Sequence, residues 1–225
     1  MIRNRFALAL ALTLALSVAA APAFASDQDV EKVNGSINAE AGQKYGDLTT
    51  VNGSIRVGAG ARLGDAETVN GSVTVAENVQ AGGLQTVNGG IRVARNVLMN
   101  DGVSTVNGSI FVDRGGTIRG GVETVNGSIG LVDTDVSQGI KTVNGDLTVG
   151  AGSHVKGGIT YDKPNFQLFS SNRRNPRVII GPNAQVDGAL VFKREVDLYV
   201  HSTAKIGAVT GATAVRYSGD TPPSR

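Results

Sequence analysis

The feature that most constrains the fold is a short motif, Val-Asn-Gly, that returns seven times along the chain. Successive copies lie 18 or 19 residues apart. Their asparagines are Asn34, Asn52, Asn70, Asn88, Asn107, Asn126 and Asn144. A fixed period of this size is typical of a solenoid, in which each repeat contacts only the repeats before and after it.

The residues around each motif predict β-strands. Aliphatic residues, nearly all of them branched, stand three and five positions after the asparagine, as in Ile55 and Val57, with polar residues between them. This alternation is the pattern of a strand with one buried face. We expect the valine before each asparagine to join the buried set, so that Val69, Val87 and Val106 stack inside the solenoid. The threonines before these valines, such as Thr68, are then expected to face solvent.

These patterns predict an all-β chain that forms a single-domain parallel β-helix of about ten coils, with 18–19 residues in each coil. Each coil would have three short faces, and successive coils would stack about 4.8 Å apart. The six-residue spacing of Val57, Leu63, Val69 and Val75 also suits a left-handed helix. The 19-residue coils interrupt that spacing, so a right-handed helix is favoured over a left-handed one.

Asn-Gly is a common bend because both residues tolerate positive φ. In stacked coils the asparagine side chains would lie above one another and could bond as a ladder. Each such bond would add about 0.5–1.5 kcal/mol. We therefore interpret the seven asparagines as structural residues.

The N-terminal segment predicts export. Residues 1–25 combine two arginines, an apolar run and the small-residue sequence Ala23-Phe24-Ala25, which is the pattern of a cleaved signal peptide. A membrane anchor is the alternative, but the apolar run is short for a bilayer of about 30 Å. We expect cleavage before Ser26, no transmembrane segment afterwards, and a periplasmic or extracellular, cell-surface location.

Charge and cysteine content exclude several classes of function. The leader holds two of the 21 basic residues and none of the 19 acidic ones, so the exported chain carries no net charge. This balance does not favour nucleic-acid binding. The chain has no cysteine, which excludes disulfides and thiolate metal sites.

The regular repeats span residues 26–160 and are followed by an aperiodic segment, 161–177. We predict that this segment is a protruding loop and a candidate contact site. Its apolar and cationic side chains would be Phe166, Phe169, Arg173, Arg174 and Arg177. Loops on repeat scaffolds often carry binding. The alternation of apolar and polar residues returns at 178–217, which predicts further coils. Residues 218–225 are predicted to form a flexible tail.

The sequence shows no catalytic motif, and we predict no cofactor and no metal site. His154 and His201 are separated in the chain and are expected at the surface. The acidic residues are scattered, although Glu67 and Glu123 occupy the same position before a Val-Asn-Gly. A non-enzymatic protein is therefore favoured, with a polysaccharide lyase or hydrolase as a weaker alternative.

Two stretches carry a resemblance to bacterial families. "ETVNGSI" and "TVNGSVTV" resemble the repeats of exported adhesin-like β-solenoid proteins, and "VIIGPNAQVDGALVF" at 178–192 is similar to the polymer-forming bactofilins. The first resemblance implies a structural, adhesive or envelope-interaction role, with envelope glycans or proteins as partners. The second implies formation of a polymer. Independently of this resemblance, a β-helix exposes unpaired strand edges at its two ends unless they are capped, and the polar start "SDQDVEK" is a poor cap, so we expect possible end-to-end stacking of copies. Neither family supplies catalytic residues.

Overall fold

The computed structural model describes residues 28–163, 174–219 and 221–223. The predicted signal peptide, 1–25, lies outside these residues, as do Phe166, Phe169 and Arg173 of the predicted contact loop. All regular structure within the described ranges is β. None of the described residues belongs to a helix that could cross a membrane.

The strands form three parallel sheets, each of which collects one strand from successive coils. Sheet A has ten strands. They are Val30–Asn34, Leu48–Asn52, Ala66–Asn70, Leu84–Asn88, Val103–Asn107, Val122–Asn126, Ile140–Thr142, Ile159–Tyr161, Leu190–Phe192 and Val209–Thr210.

Sheet B follows sheet A in every coil and also has ten strands. They are Ile37–Ala39, Ile55–Val57, Val73–Val75, Ile91–Val93, Ile110–Val112, Ile129–Leu131, Leu147–Val149, Arg177–Ile180, Asp197–His201 and Ala214–Tyr217. Sheet C closes the coil with seven strands. They are Gln80–Ala81, Leu98–Met99, Gly116–Ile118, Thr134–Val136, His154–Val155, Gln185–Val186 and Lys205–Ile206.

The register of the sheets follows the repeat in the sequence. Asn52 pairs with Asn34 and Asn70, and the same one-coil step joins Val57 to Val75. The predicted parallel β-solenoid is therefore confirmed. Ten successive strands in sheet A give about nine turns from the first strand to the last. The right-handed sense of winding stays a prediction.

The core is a set of aliphatic columns that run along the solenoid axis. Ile55 and Val57 of sheet B, with Leu48 of sheet A, are buried, and their equivalents are buried in the coils that follow except the last. Towards the C-terminal end aromatic residues occupy another inward position of sheet A, where Tyr161 and Phe192 follow Thr142, and the rings of Tyr161 and Phe192 lie 5.7 Å apart. Burying each aliphatic side chain contributes about 1.5–3 kcal/mol before the entropy of ordering is subtracted.

The predicted orientation of the threonine and valine columns was wrong. The threonines of sheet A point inward and are between 1% and 4% exposed in five successive coils, at Thr50, Thr68, Thr86, Thr105 and Thr124. The valines that follow them still align along sheet A, but on its outer face. Threonine and valine are both β-branched and fit a pleated strand equally well, so alternation alone did not decide which of the two faces the core.

A hydrogen bond explains why a hydroxyl is tolerated in the core. Thr68 donates through Oγ1 to the carbonyl oxygen of Gly53 in the preceding coil at 2.8 Å, and Thr86 does the same to Gly71. All five threonines make this bond, at 2.8–3.2 Å. Each bond thereby gives the buried hydroxyl an acceptor and gives a turn carbonyl a donor that it would otherwise lack.

The chain does bend at each Asn-Gly, as predicted, but positive φ was the wrong reason for the bend in most coils. Of the motif glycines only Gly35 and Gly145 have φ in the left-handed region. The common reason for glycine here is a close approach between coils. A Cβ on Gly71 or Gly89 would lie 1.9 or 2.0 Å from the carbonyl oxygen of the motif glycine below. Only a residue without a side chain allows the coils to stack at this corner.

Left-handed backbone instead recurs at the turn between sheets B and C. Gly60, Asn78, Asn96, Gly115 and Asp133 hold this position in successive coils, with φ between 44° and 76°. Glycine, asparagine and aspartate are the residues that adopt this conformation at low cost. The abundant glycine of the chain thus serves two different corners for two different reasons.

Candidate functional site

The predicted asparagine ladder is confirmed. Each Nδ2 donates to the Oδ1 of the asparagine in the preceding coil at 2.9–3.0 Å, in an unbroken series from Asn144 down to Asn34. At its C-terminal end the Oδ1 of Asn144 accepts a hydrogen bond from Arg194, which also donates to the carbonyl oxygen of Val143 at 3.0 Å. The amides are exposed, but their polar atoms are used by one another.

The serine after the motif glycine forms a second, shorter series. The Oγ of Ser36 accepts from the backbone N–H of Ser54, and Ser54 accepts from Ser72, both at 3.2 Å. In Thr-Val-Asn-Gly-Ser, four of the five residues therefore make contacts between coils. Only the valine side chain takes no part in these hydrogen bonds. Contacts between coils therefore account for the repetition of the motif.

The principal candidate site is an acidic groove of about 340 Å³ on sheet A, at the corner where the chain arrives from sheet C. Its carboxylates are Asp65, Glu67, Asp101 and Glu123, and Gln85 and Ser104 lie between them. The residues Glu67, Gln85, Ser104 and Glu123 belong to one outward column of sheet A. The groove therefore runs along the solenoid axis, with one polar side chain per coil.

Glycine forms the floor of this groove. Asp65 stands immediately before its sheet A strand, and later coils replace it with Gly83, Gly102 and Gly121. A Cβ on Gly102 would meet the carbonyl oxygen of Gly121 at 2.9 Å. Close packing thus disfavours a side chain at Gly102 and leaves partly exposed backbone at the bottom of the groove.

Where aspartate holds this corner, its carboxylate bonds to the next coil. Asp47 accepts from the backbone N–H of Asp65 at 2.8 Å, and Asp65 accepts from that of Gly83 at 2.6 Å. These bonds fix one end of the groove. One carboxylate oxygen of Asp65 is therefore already used in a hydrogen bond between coils.

The groove is electrostatically negative. Partial burial, followed by repulsion from Asp65 and Asp47, raises the pKa of Glu67 above its ordinary value. None of the described residues that line the groove is lysine, arginine or histidine. The arrangement attracts cationic groups.

Glu67 and Glu123, which share a position in the sequence repeat, are three coils apart. At about 4.8 Å per coil the two strands lie roughly 14 Å from each other. Paired carboxylates that cleave glycosidic bonds are separated by about 5–9.5 Å. The structure brings these two residues into one groove but does not pair them.

The described part of the predicted contact loop is bound to the solenoid. Arg174 forms an ion pair with Asp146 at 3.0 Å, and the backbone N–H of Arg177 donates to the same carboxylate at 2.8 Å. Arg177 begins a strand of sheet B, and its guanidinium lies over the ring of Tyr199 at 4.8 Å. Tyr161 also belongs to a strand and is buried, so the interruption between strands is 162–176, narrower than the predicted 161–177.

The guanidinium of Arg177 also bonds to the C-terminal segment, through the carbonyl oxygen of Pro223. Part of the predicted tail, 218–225, therefore packs against sheet B. Of the five residues predicted for the contact loop, the structure describes two, and both are engaged in contacts within the chain.

The two histidines belong to strands of different sheets, and the predicted exposure of one was wrong. His201 is only 8% exposed, bonds to Thr203 through Nδ1 and packs edge-on against the ring of Tyr217. It was expected at the surface, but the last coil folds over it. His154 is half-buried, and its Nε2 lies 2.8 Å from Asp187.

The described residues include no group of three or more His, Cys, Asp or Glu side chains arranged to hold a metal ion. Comparison of the chain with protein-family models, with curated proteins and with solved structures finds no match.

Sequence reasoning missed the groove. The signal was present as glycine before three successive sheet A strands, at Gly83, Gly102 and Gly121, next to a column of polar residues. These residues indicate a groove only if the polar column faces outward, and the sequence analysis assigned the inward and outward faces of sheet A incorrectly.

Proposed function

We propose that this protein is a non-catalytic β-solenoid of the bacterial envelope, with a structural or adhesive role. It is exported by its N-terminal segment and acts in the periplasm or at the cell surface. The observation that carries the proposal is that the repeated motif is used almost entirely for contacts between coils. What the molecule then offers to a partner is a stiff rod, about 43 Å long over nine turns, with long lateral faces.

The groove on sheet A is the surface through which we propose that contact is made. It is continuous over several coils and carries four carboxylates with no described basic residue in its lining. Such a surface suits an extended envelope polymer that bears amino groups. An amino-bearing glycan or a basic protein segment would find one polar side chain every 4.8 Å or so along the groove.

The first test is location. Cells expressing the full chain are fractionated, and the N-terminus of the purified protein is determined by mass spectrometry. We expect the protein in the periplasmic or surface fraction with Ser26 as its first residue. Recovery in the cytoplasm with Met1 intact would contradict export.

The second test is binding to isolated envelopes and to purified peptidoglycan, measured by co-sedimentation. The groove variant Glu67→Gln/Glu123→Gln should lose most of the bound fraction. A loop variant, Phe166→Ala/Phe169→Ala, tests the other predicted contact surface. The matched control, Glu77→Gln/Asp113→Asn, removes two carboxylates from outside the groove and should bind as the parent does.

A parent protein that binds none of these materials would overturn the adhesive role. Equal loss in the groove variant and the control variant would overturn the groove as the contact surface. An activity assay with uronate polymers, followed by absorbance of unsaturated products, checks the non-catalytic part of the proposal, which product formation would contradict.

A further inference from the structure

The two end coils depart from the column pattern in the same way. In sheet A, the inward position that holds buried threonine in later coils is occupied by Lys32, which pairs with Thr50. In sheet B, the inward column that holds Val149, Ile180 and Val200 ends at Arg216. Both basic residues are exposed, whereas the residues they replace are buried.

Each of these cations is bonded to its own end of the solenoid. The Nζ of Lys32 donates to the carbonyl oxygen of Ser36 at 2.9 Å, within the first coil. The guanidinium of Arg216 donates to the carbonyl oxygens of His201 and Ala204 at 3.3 and 3.5 Å. The two basic side chains thus lie at the ends of the rod, where they donate hydrogen bonds to backbone carbonyl groups.

An aromatic side chain also packs at each end of the solenoid. Tyr45 packs against the core at the first coil, and its hydroxyl accepts from the backbone N–H of Glu40 at 2.8 Å. At the other end Tyr217 is buried and its ring meets that of His201 edge-on. The position of Tyr45 carries the aliphatic residues Leu63 and Ala81 in the next two coils, so the first coil has a composition of its own.

The edge of a parallel sheet is a template for another strand unless it is blocked, and an inward-pointing charge is one way to block it. A second copy of this chain stacked on the last coil would place its sheet B against Ala214–Tyr217. It would enclose Arg216 in a column otherwise made of aliphatic residues. Burying a guanidinium or ammonium group without an opposite charge is strongly unfavourable.

We propose that Lys32 and Arg216 are end caps that keep the solenoid from stacking end to end with a second copy of this chain. They stand where the stacking pattern calls for threonine and valine. The proposal opposes the self-assembly that the bactofilin-like stretch implied, and it holds whatever partner the lateral faces bind.

The test is the state of association of the processed full chain and of a Lys32→Thr/Arg216→Val variant. The new residues are those that inner coils carry at the same positions. Analytical ultracentrifugation across a concentration series should give a monomer for the parent and species of two or more chains for the variant. Negative-stain microscopy should show the variant species as rods lengthened along their axis.

The matched control is Arg56→Thr/Arg62→Thr, which removes two exposed positive charges from the lateral faces and should stay monomeric. Three results would overturn the proposal: a parent that already forms rods, a folded double variant that stays monomeric, or a control that associates as the variant does. If the double variant loses its β circular dichroism, the single Lys32→Thr variant decides. Its association should exceed that of the parent, and unchanged association would also overturn the proposal.

Discussion

At the scale of the residue, this protein is explained by what each position touches in the neighbouring coil. The buried threonines show this most clearly. A hydroxyl in a core is costly unless it is bonded, and each of these hydroxyls bonds to a glycine carbonyl one coil away, as Thr86 does to Gly71. Thr142 differs, because its Oγ1 is buried with no hydrogen-bond partner among the described residues.

This difference gives a paired prediction. Thr86→Val keeps the shape of the side chain but leaves the carbonyl of Gly71 unpaired, so it should lower the free energy of unfolding by about 1–2 kcal/mol. Thr142→Val removes a hydroxyl that lacks a described partner and should be neutral or stabilising. Urea denaturation followed by circular dichroism measures both. Equal destabilisation by the two variants would mean that the hydroxyl bond is not what stabilises the threonine column.

The motif glycines give a second prediction at this scale. A Cβ on Gly89 would lie 2.0 Å from the carbonyl oxygen of Gly71, so Gly89→Ala must displace backbone and should cost about 3 kcal/mol. The adjacent Gly90 holds the position that is serine in most other copies of the motif, and its nearest contact for a Cβ is 3.2 Å. Gly90→Ser should therefore be tolerated. Similar midpoints of denaturation for the two variants would contradict the close-approach argument.

At the scale of the element, sheet A carries both the ladder and the groove on one face. The asparagine ladder lies at the end of sheet A towards sheet B. The glycines that form the floor of the groove lie at its end towards sheet C. The groove residues are held by strand register, since Glu67 pairs with Gln85 and Ser104 with Glu123. The spacing of the coils therefore sets the distance between neighbouring polar side chains in the groove.

The groove also predicts a dependence of stability on pH. Because the pKa of Glu67 is raised in the folded state, the folded protein favours the protonated carboxyl. Stability from this group is present below the ordinary glutamate pKa and is lost as pH rises through the raised value. Glu67→Gln should therefore match the parent in acid and become the more stable protein as pH rises through that interval.

The measurement is the urea midpoint of parent and Glu67→Gln across the acidic to neutral range. Asp65→Asn keeps the oxygen that accepts from Gly83 but removes one of the charges that repel Glu67. In that background the pH-dependent gain should shrink. A gain that is the same at every pH would show that titration of Glu67 is not its cause.

At the scale of the whole molecule, the solenoid is nearly one-dimensional. Sheet pairing joins each coil to the coil before it and the coil after it, and the columns of the core continue from one to the next. The stability of such an array is approximately a sum over coils and the interfaces between them. Removal of one whole coil should therefore leave a shorter rod with its register intact.

Deletion of residues 71–88 tests this property. It joins Asn70 to Gly89 and removes one complete coil of 18 residues, so the strands on either side meet in their present register. We expect a β circular dichroism spectrum, cooperative denaturation and a modestly lower midpoint. Deletion of residues 71–79 removes half a coil, brings sheet C strands where sheet B strands belong, and should abolish folding. Loss of folding in both deletions would contradict independent stacking of the coils.

The sequence by itself determined the period, the parallel stacking and the asparagine ladder. A repeat of 18 or 19 residues with aliphatic alternation can bury its apolar face only by coiling on itself, so the spacing of Asn34, Asn52 and Asn70 implies their contact. The aliphatic core of sheet B, represented by Ile55 and Val57, followed from the same alternation.

The tertiary structure alone decided which face of sheet A is inward and why glycine recurs at its ends. The partner of Thr68 is a carbonyl in another coil, and the obstacle to a side chain on Gly71 is another such carbonyl, so neither is visible in the residues themselves. The groove and the two charged ends depend on that choice of face. The period of the repeat determines which residues stack in neighbouring coils, but only packing determines which side of a strand faces the core.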